Sequence, residues 1–269
     1  MALSTTYNNQ PIGVFDSGVG GLSIAKSVAE LLPNESFIYL ADSLNAPYGD
    51  LTSEQIIKRV NKIAQWFIAK NVKVLMIACN TATVNAIDQL RTHINIPVIG
   101  VEPAIKPAVI QSKTKNIALM VTQATATNNR FIRLVNKHKQ SANVHIQPCP
   151  GLVEIIEKGQ IESVSCHALL QQYLAPLIHS TIDTLVLGCT HYPFLSDKIK
   201  VLLGDNIALI ETSTPVAKQL QKQLISHRLI ASPQSTSQHL FFSTQANEQQ
   251  NKIFSHLWKK NIIVEKETI

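Results

Sequence analysis

The sequence predicts an α/β protein of two pseudo-symmetric domains, each a parallel sheet covered by helices, facing a central cleft. Three observations predict it. Apolar runs of strand length alternate with amphipathic stretches of helix length. The runs form two sets with matching spacing: Ile12 with Ile117, Phe37 with Val144, Cys79 with Cys189 and Ile96 with Ile207, offset by about 105 to 111 residues. Two of them also end alike. Val74-Leu75-Met76-Ile77-Ala78-Cys79-Asn80-Thr81 and Thr184-Leu185-Val186-Leu187-Gly188-Cys189-Thr190-His191 both pass from buried strand to small residue, thiol and polar groups.

Taken in order, Ile12 to Phe15 is a strand ending at Asp16-Ser17. The turn Gly18-Val19-Gly20-Gly21 leads to a helix from Leu22 to Leu32, stopped by Pro33. Phe37 to Leu40 is a strand ending at Asp42. A helix over Ser53 to Lys70 carries Ile56, Ile57, Val60, Ile63, Ala64 and Phe67 on one face. The Cys79 strand, a helix over Thr83 to Arg91 and a strand over Ile96 to Val101, ending at Glu102, complete the first set. Asp16, Asp42, Cys79 and Glu102 are expected at one sheet edge, because right-handed crossovers bring strand C-termini together.

The second set reads as strands over Ile117 to Val121 and Val144 to Gln147, helices over Leu152 to Ile156 and Cys166 to Ile178, the Cys189 strand, and Ile207 to Ile210. A helix over Val216 to Ser226, a strand over His239 to Thr244 and a helix over Asn247 to Lys259 fit neither repeat. They are expected to return to the first half. The expected division is 1–100 plus 212–269 for one domain and 101–211 for the other.

Composition excludes several classes. The 269 residues are 45% hydrophobic and 16% charged, enough for full cores. The net charge is +6, but the cations are scattered and no basic run carries interleaved aromatics, so no nucleic-acid partner is expected. No apolar run reaches membrane-spanning length, and Met1 to Gln10 shows no signal-peptide core. The four cysteines, Cys79, Cys149, Cys166 and Cys189, are too few for a disulfide scaffold and suit a reducing cytoplasm.

Two thiols at matched strand ends suit an acid/base pair, since a thiol titrates near pH ~8.5 and can serve in either form. Packed interior cysteines are the plain alternative. Zinc is a rival, but Cys189 with His191 and Cys166 with His167 lack finger spacing. A cysteine hydrolase would use the same Cys189 and His191, yet one pair makes no triad. Asp16-Ser17-Gly18-Val19-Gly20-Gly21, with Asp42 downstream, is half a dinucleotide fingerprint. Ser23 holds the place of its third glycine, and Asp16 would repel a pyrophosphate. A tight turn with an Asp cap explains the same residues. His191 could assist Cys189, and Glu157 is either functional or a solvated helix end.

Five motifs together resemble glutamate racemase, of the aspartate/glutamate racemase family. They are Phe15-Asp16-Ser17-Gly18-Val19-Gly20-Gly21-Leu22, Ala46-Pro47-Tyr48-Gly49, Ala78-Cys79-Asn80-Thr81-Ala82-Thr83, Gly100 through Pro107, and Leu187-Gly188-Cys189-Thr190-His191-Tyr192-Pro193. The resemblance runs in order over nearly the whole chain. It implies interconversion of L- and D-glutamate with no cofactor and no metal, supplying D-glutamate for peptidoglycan. It implies Cys79 acting on the D isomer and Cys189 on the L isomer, with Asp16, His191 and Glu157 assisting. Asp16, Ser17, Asp42, Pro47, Tyr48, Gly49, Asn80, Thr81, Thr122, Thr125, Thr190 and His191 are implied around the substrate. A homodimer and a cell-wall precursor as activator are implied partners. Thr122-Gln123-Ala124-Thr125 departs from the family's Thr-x-Gly-Thr, and Gly151 stands where a bulkier residue is usual. Aspartate racemase, and a regulatory or binding protein on a racemase fold with a partner such as a topoisomerase, are the alternatives; an NAD-dependent oxidoreductase is more distant.

Overall fold

The computed structural model describes residues 7–178 and 180–269. The opening stretch read above, Met1 to Gln10, falls mostly outside the described residues. Strands β1 (Ile12–Asp16), β2 (Phe37–Ala41), β3 (Val74–Ile77) and β4 (Val98–Gly100) pair in the order β2-β1-β3-β4. Strands β5 (Asn116–Val121), β6 (Asn143–Pro148), β7 (Thr184–Leu187) and β8 (Ala208–Ile210) pair in the order β6-β5-β7-β8. Every pairing is parallel. The two orders superimpose, and the matched strands are those the offsets pair. Central strands β1, β3 and β7 are buried along their whole length, as expected when helices cover both faces.

Strands β9 (His239–Ser243) and β10 (Val264–Lys266) extend the first sheet beyond β2. The segment after residue 212 thus returns to that sheet. Strand β10 escapes the sequence reading because it is three residues long and exposes two of them.

Helix α1 (Leu22–Leu31) packs on α10 (Ser213–Ser226). Helix α2 (Ser53–Ala69) starts at a capping box between Thr52 and Gln55 and buries Ile56, Val60, Ile63, Ala64 and Phe67. Phe67 lies so close over β1 that a Cβ on Gly13 would sit 2.7 Å from its ring. Helix α3 (Asn80–His93) begins three residues earlier than its pattern suggests, because Cys79 caps it: the Sγ accepts the Ala82 N–H at 3.4 Å. Helices α7 (Leu152–Glu157), α8 (Val164–Ile178) and α11 (Glu248–Trp258) lie where periodicity puts them. Helices α4 (Ile105–Gln111), α5 (Gln123–Ala126), α6 (Asn129–His138) and α9 (Ser196–Leu203) are additions to the sequence reading. They are short or mostly polar; α6 buries only Phe131 and Val135.

One apolar cluster runs through both sheets, from Val14 and Leu22 to Leu185, Leu187 and Tyr192. The two halves therefore share a core as well as a cleft. No helix among the described residues is long and apolar enough to cross a membrane.

A buried ion pair ties the edges of the first half together. Lys73 Nζ lies 2.5 Å from Glu35 Oε2 and donates to the Asn8 carbonyl at 2.6 Å, while Glu35 Oε1 accepts the Ala231 N–H at 2.7 Å. Both side chains are almost fully buried. Burial pulls the Lys73 pKa down, and Glu35 opposes that pull. Lys73→Met is expected to lower stability by about 3 kcal/mol, because it strands a buried carboxylate. The double variant Glu35→Gln/Lys73→Met should recover most of the loss, read as urea unfolding midpoints.

Candidate active site

The two halves meet at the C-terminal edges of their sheets, and the strand-end side chains of both line one narrow cavity there. Cys79 reaches it from the end of β3 and Cys189 from the end of β7, each 5% exposed. Gly188, just before Cys189, lies against β5; a Cβ there would come 2.7 Å from Val121 and 2.9 Å from the Met120 carbonyl. The small residue is needed for the chain to leave the sheet at that point.

The surroundings of the two thiols differ. Ser17 Oγ lies 3.6 Å from Cys79 Sγ. Burial, followed by the Asp16 carboxylate, pushes the Cys79 thiol up to about 12, against the Ala82 N–H and the Ser17 hydroxyl. Cys189 Sγ lies 3.7 Å from His191 Nδ1. His191 Nε2 lies 2.5 Å from Glu157 Oε1, which also accepts the Val19 N–H at 2.7 Å. Burial works against protonation of His191, but the hydrogen bonds to Cys189 and Glu157 outweigh it and hold its pKa well above the ordinary imidazole value. One thiol thus faces a carboxylate and the other an imidazole that favours its charged form.

Asp16 is fully buried, accepting the Gly18 N–H at 2.7 Å and the Thr190 hydroxyl at 3.0 Å. Burial raises its pKa to about 6; His191 and these hydrogen bonds pull the other way. The glycine turn serves close approach. A Cβ on Gly18 would fall 1.8 Å from Glu157 Oε1, and one on Gly20 would fall 2.3 Å from His191 Nδ1. The Gly18 and Val19 amides, which a pyrophosphate would need, go to Asp16 and Glu157 instead. That disposes of the dinucleotide reading of the turn.

Of the sequence-derived residues, Ser17, Pro47, Tyr48, Gly49, Asn80 and Thr81 line the cavity from the first half. Thr122, Thr190 and His191 line it from the second. Thr81 Oγ1 meets Thr122 Oγ1 at 3.0 Å across the cleft, and Thr122 is backed by Thr125 at 3.0 Å. Gln123-Ala124, where the family glycine is missing, forms the short helix α5, capped by Thr122. Asn80 Nδ2 donates to the Val101 carbonyl at 3.4 Å, while its buried Oδ1 has no partner among the described residues.

Asp42 needs correction as a substrate contact. Its carboxylate lies behind Tyr48, accepting the tyrosine hydroxyl at 2.6 Å and Arg59 Nε and Nη2 at 2.7 Å each. Asn45 and Thr244 take what remains. It can act on the cavity only by holding Tyr48. Thr125, similarly, stands behind Thr122. Glu102 follows β4 but turns away to Arg130, at 2.7 Å. Cys149, Gly151, Val153, Glu154, Asp50 and Gln123 also line the cavity, though the sequence reading placed none of them around the substrate. The strand offsets carried a signal for Cys149, which follows β6 as Asp42 follows β2. Arg59 had none, because α2 presents it to Asp42 only in three dimensions. Cys166 is buried in α8, and among the described residues no group of three His, Cys, Asp or Glu side chains is placed to hold a metal ion.

Comparison with known proteins gives a consistent picture. The Asp/Glu/hydantoin racemase family profile matches residues 12–220. A glutamate racemase of Herpetosiphon aurantiacus is 45% identical over 85% of this chain and 89% of its own length. That of Stutzerimonas stutzeri is 40% identical over 95% and 96%. The structure is similar to glutamate racemase RacE1 from Bacillus anthracis, with TM-score 0.89 and 30% identity over 97% of this chain and 98% of that one. A Francisella tularensis glutamate racemase solved with D-glutamate gives 0.85 at 30% identity over the same shares. A Picrophilus torridus aspartate racemase, 15% identical at TM-score 0.54 over 80% of this chain and 94% of that one, shares the fold alone.

Two variants follow from this geometry. The raised Asp16 pKa means that the folded state holds the proton more tightly than the unfolded chain. Its stabilising contribution is full below pH 4 and is lost as pH rises through 6. Asp16→Asn, which cannot ionise, loses one of the two acceptor oxygens at every pH, but its stability relative to the parent should be higher at pH 8 than at pH 4 by up to about 3 kcal/mol, read by urea unfolding. Gly18→Ala should displace Glu157 and cut turnover about tenfold or more, as loss of a support for His191 would; parent-like turnover would contradict the contact.

Proposed function

The chain belongs to the Asp/Glu/hydantoin racemase family and its activity is glutamate racemisation; on that premise we propose that it inverts the α-carbon with two thiols and no cofactor. Cys189 as thiolate takes the α-proton of L-glutamate, the α-carbon becomes planar, and the Cys79 thiol delivers a proton to the opposite face. D-Glutamate reacts in the reverse sense. The single observation that carries this reading is that two thiols from symmetry-related strand ends line one cavity. The unlike surroundings of the sulfurs support it. Cys79 is favoured as a thiol, the donor form, while His191 places positive charge beside Cys189.

Removing an α-proton needs donors for the charge that develops on the carboxylate, held away from water. Ser17 and the Thr81–Thr122 pair, backed by Thr125, are the hydroxyls available for it. The free acceptor on Asn80 suits the substrate ammonium. Asp16 assists on the Cys79 side, and His191 with Glu157 on the Cys189 side. We assign 1–100 with 212–269 to one domain and 101–211 to the other, which the membership of the two sheets supports. The reading extends to supply of D-glutamate for peptidoglycan in the cytoplasm, to a homodimer, and to activation by a cell-wall precursor. For activation, the support is an Escherichia coli glutamate racemase, 26% identical at TM-score 0.83 over 96% of this chain and 98% of that one, solved with L-glutamate and the activator UDP-MurNAc-Ala.

In deuterated water the protein should exchange the α-hydrogen of both glutamate enantiomers. Cys79→Ser and Cys189→Ser should each lower racemisation about a thousandfold with unfolding midpoints unchanged. Near-parental racemisation by either variant overturns the two-thiol assignment.

A further inference from the structure

Beside the active-site cavity lies a second one of about 710 Å³. It shares Pro47 and Glu154 with the first, and Glu157 is part of its wall. Its wall contains Ser43 and Gln250, which are 8% and 6% exposed. Ser43 Oγ and Gln250 Oε1 are buried and have no hydrogen-bond partner among the described residues. Unpaired buried polar atoms are costly in a dry wall but are suited to one that holds water. The space is large enough to hold water beside Glu157, since one water occupies roughly 30 Å³.

The geometry points to this second cavity as a proton port for Cys189, connecting its thiol to solvent through His191 and Glu157. This inference rests on the two-thiol reading above. That reaction leaves the thiols in exchanged states: after L-glutamate becomes D-glutamate, Cys189 holds a proton and Cys79 has lost one. Before the next L-glutamate, Cys189 must release that proton. The side chains needed are in line. Cys189 Sγ faces His191 Nδ1 at 3.7 Å, and His191 Nε2 faces Glu157 Oε1 at 2.5 Å. Glu157 Oε1 is anchored by Val19, and Oε2 takes part in neither contact. Once Cys189 is a thiol, the sulfur charge that favours imidazolium is gone, and His191 accepts as a neutral ring protonated on Nε2. The S–H bond breaks as Nδ1–H forms, Nε2–H breaks as the carboxyl O–H forms, and the carboxyl proton passes to water in the cavity. The products are a thiolate on Cys189, a neutral His191 protonated on Nδ1 and a hydrated proton; the same path in reverse reloads the thiol, and restores the Nε2–H ring, after D-glutamate turnover. Cys79 regains its proton from water in the active-site cavity that it lines, since Asp16 is fully buried with its oxygens bound to Gly18 and Thr190.

Ser43 and Gln250 touch neither thiol, so changing them alters the port and leaves the reacting groups in place. The full-length protein with Gln250→Leu, and with Ser43→Ala/Gln250→Leu, is assayed with L- and D-glutamate from low to oversaturating concentration. Free-enzyme proton exchange falls between product release and the next binding, so slowing it lowers kcat and leaves kcat/KM. We expect kcat with L-glutamate to fall about tenfold in the double variant, with kcat/KM in both directions within about twofold of the parent. A kcat unchanged from the parent overturns the port. So does a fall in kcat/KM as large as that in kcat, which would mark a structural effect. Cys189→Ser tests the premise separately: an active Cys189→Ser overturns the two-thiol reading, whereas an inactive one with an unchanged kcat in the double variant overturns the port alone.

Discussion

Glu157 Oε1 is the point on which the two halves register. It accepts a backbone N–H from the glycine turn of the first half and bonds the imidazole that stands beside Cys189 in the second. A carboxylate can serve both because it offers several lone pairs at short range. The cost is steric. A Cβ at Gly18 or Gly20 would have to displace Glu157 or His191, so the turn that resembles a phosphate cradle is a passage for another part of the chain. The same contact orients His191, and through it the environment of one thiol.

The site is symmetric in backbone and asymmetric in chemistry. Equivalent strands of equivalent sheets deliver Cys79 and Cys189, so duplicated topology accounts for two bases facing one space. Their supports differ because the loops differ. Asp16 comes from β1 on one side, and Glu157 with His191 come from α7 and the end of β7 on the other. Desolvation pushes Cys79 toward its neutral form, and an imidazole favouring positive charge stands at Cys189. Two thiols of one residue type are thereby given different resting preferences.

Around the cavity, hydroxyls and amides dominate, and most are held by neighbours that never touch the space. Asp42 and Arg59 hold Tyr48, and Thr125 holds Thr122. Removing the backing group would loosen the lining without altering its composition. The cluster of Thr81, Thr122 and Thr125 also joins the halves, so binding and closure draw on the same hydroxyls.

The sequence alone determined the class of fold, the pairing of strands between halves and both thiols, while its motifs, through their resemblance to glutamate racemase, pointed to most of the remaining cavity lining. These are local properties: an apolar run must be buried, and residues just past its end must emerge at the sheet edge. The short helices α4, α5, α6 and α9 were not legible because each buries few side chains and takes its stability from neighbours distant in sequence. Only the tertiary structure decided which polar residues reach the cavity and which stand behind it. Asp42 and Thr125 look like Tyr48 and Thr122 in the sequence, but a buried carboxylate takes the nearest cation and donors, and α2 brings Arg59 to it. The meeting of Glu157, Val19 and His191 was likewise beyond the sequence, since three residues separated by up to 172 positions are brought together by the packing of one sheet edge against another.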